Sequence, residues 1–238
     1  NDNNIERDYS KYVFVSTALT PYLQYSHGIY LQEQLEAGPV KLLLGIRQEF
    51  FTDVLNYKTN NETRTTQHAF IPRIGAVVTI NKNLNVYGTW VKGFEPQSAS
   101  VQGNPNAGGP FDPEYSQLLE AGLKGEWLDK RLSTTLSFFH LQKRNTLYNA
   151  NDPANPERLE QVGEETSKGI EMDIAGFILP NWSIVANYAY THAAITKTAT
   201  DSEKDFGMQR PNTPRNAFNI WSKYIIETGV LHNFGFGL

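Results

Sequence analysis

The sequence predicts an all-β fold: a transmembrane, antiparallel, up-and-down β-barrel, present here as a portion of a larger barrel. Three observations carry this expectation. Strand-like alternation recurs in runs about ten to fourteen residues long, the links between runs are alternately very short and long, and aromatic residues collect where runs end. Tight turns on one rim with long loops on the other are the signature of bacterial outer-membrane barrels. Aromatic belts mark both interfaces of a bilayer.

Ten strands are predicted, at about 26–36, 39–54, 67–80, 84–94, 115–127, 131–144, 160–178, 182–195, 214–227 and 231–238, with a further candidate near 11–19. Short links fall at Ala37-Gly38-Pro39, Asn81-Lys82-Asn83, Leu128-Asp129-Lys130, Leu179-Pro180-Asn181 and Thr228-Gly229-Val230. Long links at 55–66, 95–114, 145–160 and 197–213 are rich in Asn, Pro, Gly, Asp and Thr, the residues of turns and loops.

Period-2 alternation sorts each strand into two faces. In the fifth, Leu119, Ala121, Leu123 and Trp127 oppose Ser116, Glu120, Lys124 and Glu126. In the sixth, Leu132, Leu136 and Phe138 oppose Arg131, Ser133, Thr135 and Ser137. In the seventh, Ile170, Met172, Ile174 and Ile178 oppose Glu171 and Asp173. In the eighth, Trp182, Ile184, Ala186, Tyr188 and Tyr190 oppose Ser183, Asn187 and Thr191. In the ninth, Phe218, Ile220 and Tyr224 oppose Arg215, Asn219 and Lys223. A soluble sandwich alternates too. These runs exceed the usual five or six residues of a soluble strand, however, and the loop asymmetry is regular.

Hydrophobic residues make up 39% of the chain and the mean hydropathy is -0.46, so no run reaches the roughly twenty apolar residues of a membrane helix. Barrel strands need no such run, because alternate residues face lipid and lumen. The absence of cysteine removes disulfides, thiolate zinc sites and cysteine nucleophiles. A net charge of -4 argues against nucleic acid as a partner, since a basic face is the mark of such binding. Ten strands would leave two open edges, which hydrocarbon does not tolerate; the last run, Leu231 to Leu238, also lacks a closing aromatic.

Eight phrases, in order, resemble the ferric-siderophore class of TonB-dependent outer-membrane receptors. They are Gly28-Ile29-Tyr30-Leu31-Gln32-Glu33-Gln34, Leu44-Gly45-Ile46-Arg47, Pro72-Arg73-Ile74-Gly75-Ala76, and Val86-Tyr87-Gly88-Thr89-Trp90 with Gly93-Phe94-Glu95-Pro96-Gln97. Then come Phe111-Asp112-Pro113-Glu114 with Glu120-Ala121-Gly122-Leu123-Lys124, Ser167-Lys168-Gly169-Ile170-Glu171, Asn187-Tyr188-Ala189-Tyr190-Thr191, and Pro214-Arg215-Asn216. The series is most similar to the ferrichrome, ferrioxamine and pyoverdine branch. The resemblance implies a plugged barrel of about twenty-two strands. Residues 1–238 would be part of its wall, with an N-terminal plug and TonB-binding segment before them and the final strands after. It also implies uptake of ferric siderophores, contact with the TonB complex through the missing N-terminal region, and a setting in the lipid of a Gram-negative outer membrane. Another cargo, such as cobalamin, haem or oligosaccharide, is the alternative within the family; a passive porin is the alternative outside it.

Catalytic chemistry finds no footing in the residues. His27, His68, His140, His192 and His232 are scattered, without a paired metal-binding spacing. No serine–histidine–aspartate set stands in a strand–turn–helix context. Glu164, Glu165, Glu171 and Asp173 fit lumen charges better than an acid/base pair. No cofactor is expected, iron arriving only as siderophore-bound substrate. A compact chelate needs aromatic faces and a few hydrogen bonds. By position the candidates are Trp90, Phe94, Phe111, Tyr115, Tyr148, His192, Phe206 and Arg210, each of which also suits a girdle or loop-packing role.

Overall fold

The computed structural model describes residues 20–197 and 206–238. Their strands form one antiparallel sheet in sequence order: β1 (Tyr22–Ala37), β2 (Val40–Leu55), β3 (Thr63–Asn81), β4 (Leu84–Glu95), β5 (Glu114–Trp127), β6 (Leu132–Asn149), β7 (Leu159–Leu179), β8 (Trp182–Lys197), β9 (Asn216–Ile225) and β10 (Gly235–Gly237). One short helix, α1 (Ala99–Gln102), sits between β4 and β5. The candidate strand near 11–19 lies outside the described residues. The sheet is not closed.

Several strands reach further than the alternation suggests, and the extensions of more than two residues are at the long-loop end. β1 begins at Tyr22, β3 at Thr63, and β6 continues to Asn149. Added residues such as Thr63-Arg64-Thr65-Thr66 and Asn145-Thr146 are polar on both faces. A strand that has left hydrocarbon keeps its hydrogen bonds and loses its alternation, so the pattern ends before the ladder does.

The turns alternate with the loops as expected. Gly38 takes a left-handed φ of 59° between β1 and β2, and Leu128, Asp129 and Lys130 are all left-handed between β5 and β6. The β9–β10 link departs from expectation. Instead of a tight turn at 228–230, residues 226–234 form a longer connection, and β10 is reduced to three residues. Its cause is local: Gly229 and Asn233 are both left-handed, and Asn233 N–H closes onto the Ile226 carbonyl at 2.8 Å while His232 N–H bonds Gly229. With β9 and β10 joined this way, all five connections share one rim.

Cross-strand partners lie on the same face of a sheet. One row reads Val40, Val78, Val86, Leu123, Leu136, Met172, Tyr188, Phe218. The adjacent row, one residue on, reads Thr79, Asn85, Lys124, Thr135, Asp173, Asn187, Asn219. The apolar face is the outward one, and it carries exposed Ile29, Leu31, Ile46, Ile74, Leu119, Phe138 and Ile220. The inward face is polar with interspersed aromatics. On it the Tyr87 ring closes over Gly122, where a Cβ would stand 2.8 Å from the ring, and the Tyr87 hydroxyl donates to Glu120 at 2.6 Å.

Candidate functional site

Four long connections gather at the rim opposite the turns. The β4–β5 connection, 96–113, bends back over the inward face of β2 and β3. Two glutamine side chains of the wall hold it there and a third closes it on itself, each pairing with the N–H and C=O of one residue, as a neighbouring strand would.

Gln67 of β3 donates to the Gln97 carbonyl at 2.6 Å and accepts from the Gln97 N–H at 3.0 Å. Gln102 donates to the Phe111 carbonyl at 2.6 Å and accepts from its N–H at 2.9 Å. Gln161 of β7 accepts from the Asp112 N–H at 2.7 Å and returns a short bond to the Asp112 carbonyl. The start of α1 is fixed as well. Its cap is Ser98, and the fully buried Asp53 of β2 accepts the Ala99 N–H at 2.6 Å. Beneath this loop the inward-facing Glu49, Phe51, Gln67 and Ala69 are buried.

The 150–158 connection is tied to the same loop. Asn104 and Asn106 both donate to Glu157 at 3.2 Å, Asn155 donates to the Asn106 carbonyl, and Leu159 N–H bonds the Ala107 carbonyl at 2.9 Å. Two loops therefore form one built surface over the mouth.

A second cluster lies across the rim. The Tyr148 hydroxyl donates to Glu165 Oε1 at 3.0 Å, and Arg210 Nη1 lies 3.4 Å from the same oxygen. Lower on the wall, Lys143 pairs with Glu114 and with Glu95, and Arg47 pairs with Glu49 at 2.5 Å. These groups offer donors, acceptors and aromatic faces to a polar ligand. Among the described residues no group of three metal-ligating side chains gathers.

The eight sequence candidates fall into separate places. Tyr148 and Arg210 meet through Glu165. Phe111 is buried inside the folded loop, 9% exposed. Phe94 and Tyr115 are cross-strand neighbours on the outward side of the rim, their ring centroids 6.3 Å apart. Trp90 pairs with Leu119 and His192 with Lys168, both on the outward face, so neither side chain enters the lumen. Phe206 is exposed and bridges to Ile195. Asp53, Gln67, Gln102 and Gln161 were not among the candidates, because a glutamine within a polar stretch carries no mark of its distant partner.

The family profile described as "TonB dependent receptor-like, beta-barrel" matches residues 2–238. The metal-pseudopaline receptor CntO of Pseudomonas aeruginosa is 32% identical over 210 residues, covering 85% of this chain and 28% of that protein. The ferric-pyoverdine receptor PbuA of Pseudomonas sp. is 27% identical over 214 residues, covering 84% of this chain and 25% of that protein. The chain thus spans about a quarter of the length of these two relatives. In fold it resembles the alcaligin outer-membrane receptor FauA of Bordetella pertussis, with a TM-score of 0.72 and 24% identity over 92% of this chain and 37% of that one. It also resembles FpvA of P. aeruginosa, with a TM-score of 0.76 and 24% identity over 93% of this chain and 28% of that one.

Proposed function

Because this chain belongs to the TonB-dependent receptor-like β-barrel family of Gram-negative outer membranes, we propose that the protein containing it binds ferric siderophores at the cell surface and imports them with energy supplied through TonB. The observation that carries this proposal is the similarity along most of the chain to relatives named for chelate-borne metal, the metal-pseudopaline and ferric-pyoverdine receptors. The mouth supports it. Loops 96–113 and 150–158 are clamped into one surface, which lowers the ordering cost of holding a ligand. Below them the row from Lys124 through Asp173 to Asn219 suits a wetted or plugged lumen.

In this proposal the plug and the TonB-contacting segment belong to parts of the protein beyond residues 1–238. The test is uptake of radiolabelled ferric chelates by cells carrying the full-length gene, with and without TonB. A second cargo has a specific observation in its favour: a metal-pseudopaline receptor is 32% identical over 85% of the chain. The same assay run with radiolabelled metal-pseudopaline separates the two.

A further inference from the structure

β3 and β4 part company halfway along. Their ladder runs from Asn81–Leu84 to Arg73–Val91 and stops, although β3 continues to Thr63 and β4 to Glu95. Pro72 is the cause. Thr79 N–H bonds the Pro39 carbonyl at 2.8 Å, and the β2–β3 register is unbroken. Odd-numbered residues of β3 therefore bond to β2, while even-numbered ones turn N–H and C=O toward β4. Glu126 N–H bonds the Asn83 carbonyl in the same way, which directs the even-numbered residues of β4 toward β3. At the next rung the Pro72 carbonyl can accept from the Lys92 N–H, but proline has no N–H to return, so the ladder ends there.

Beyond that rung the seam is open. The peptide groups of Arg64, Thr66, His68 and Phe70 face the gap, beyond the last ladder pair between β3 and β4. Beside this edge lies a cleft of about 460 Å³, with 64–68 on one side and 110–113 with Tyr115 on the other. Gln102 and Gln161, bonded to Phe111 and Asp112, keep the far wall in place. Successive peptides along the edge repeat every two residues, roughly 6.6–6.8 Å, which is the repeat of another strand and of no compact ligand. An exposed row of this kind is a template for β-addition.

We propose that the β3 edge between Arg64 and Phe70 receives an extended segment of a second polypeptide from the cell exterior, as an added strand between β3 and 110–113. His68 and Lys92 flank the seam, and Lys92 lies over the Trp90 ring at 5.7 Å, so a segment with a carboxylate side chain fits best. This interaction is separate from import of a chelate.

The test uses the full-length receptor in lipid nanodiscs and a dye-labelled, end-capped peptide of alternating threonine and valine with one central glutamate. Two further versions are N-methylated at alternate residues, one on each edge. The parent peptide is expected to bind. One methylation pattern should weaken binding about tenfold or more, as expected when hydrogen bonds are lost, and the other should leave it unchanged, because one edge alone meets β3. At saturation, amide exchange at Thr66, His68 and Phe70 should slow while that at Gln67 and Ala69 stays constant. Absence of binding, equal binding of both methylated peptides, or unchanged exchange at Thr66, His68 and Phe70 overturns the proposal. The methylation arms leave the receptor unaltered, so they hold even where a variant such as Thr66→Pro fails to fold.

Discussion

The Gln67 side chain and the Gln97 backbone hold each other in both directions, at 2.6 and 3.0 Å, across thirty residues of sequence. Gln67 is 7% exposed, so removing its amide strands a peptide group with little access to water. Such a loss costs about 1–3 kcal/mol. For Gln67→Ala we expect faster hydrogen exchange throughout 96–113, with unchanged protection in β5 to β8. Unchanged exchange in the loop would show that the other two clamps hold it alone.

Deleting 99–110 from the full-length receptor removes α1 and its contacts with Asp53 and Glu157. Chelate binding should weaken, while the barrel still inserts, because no ladder bond of the membrane band passes through that segment. Equilibrium binding of the ferric siderophore checks this, and undiminished affinity would exclude the loop from the site.

Glu165 joins Tyr148 to Arg210, one candidate on β6 and the other in the β8–β9 connection. Glu165→Ala removes the contact that each of them makes with Glu165. Siderophore affinity should fall several-fold without loss of folding, since the pair between Glu165 and Arg210 is partly solvated and contributes only about 1 kcal/mol or less to stability. Retained affinity would mark the trio as loop packing.

Pro72→Val restores the missing N–H at the β3–β4 fork. The missing half of the Pro72–Lys92 rung should then form, seen as protection of the new residue 72 amide, which donates to the Lys92 carbonyl. An unchanged fork would mean that the 96–113 loop, and not proline, holds the strands apart.

Much of this architecture was legible in the sequence, and the reason is physical. Lipid imposes alternation on each strand, so Leu123 and Ile174 could be assigned to one face and Asp173 to the other before any pairing was known. Four tight turns were legible from Gly38, Asn83, Asp129 and Asn181 and their neighbours. The fifth was not, because the left-handed Gly229 and Asn233 build a longer connection. Above the bilayer the alternation stops, and strand ends such as 63–66 looked like loop. The mouth was read least well. Phe111 looked like a ligand contact and is buried; Trp90 and His192 looked like rim residues and face outward. What organises the mouth is a set of glutamine-to-backbone pairs over long separations, which no local pattern announces.

The face assignment has its own contrast. Leu123 and Ile174 lie on the outward face, and Asn187 lies inward beside Asp173, exposed to the lumen. Arginine at Leu123 or Ile174 should cost about 2–4 kcal/mol at the bilayer midplane. Asn187→Arg should cost far less, because the lumen and the Asp173 carboxylate accept the charge. Folding titrations of the full-length protein into lipid vesicles measure both, and equal penalties would reverse the faces.

Energy-coupled import is tested most directly by uptake. Cells lacking their own siderophore receptors are given the full-length gene, in strains with and without TonB, and supplied with radiolabelled ferric pyoverdine, ferrichrome and catecholate chelates. TonB-dependent import requires that at least one chelate accumulates in the TonB-positive strain and that the same chelate stays at the surface, bound and not internalised, in its absence. Equal accumulation in both strains would show a passive pore, and accumulation of none, with no surface binding, would contradict a siderophore receptor.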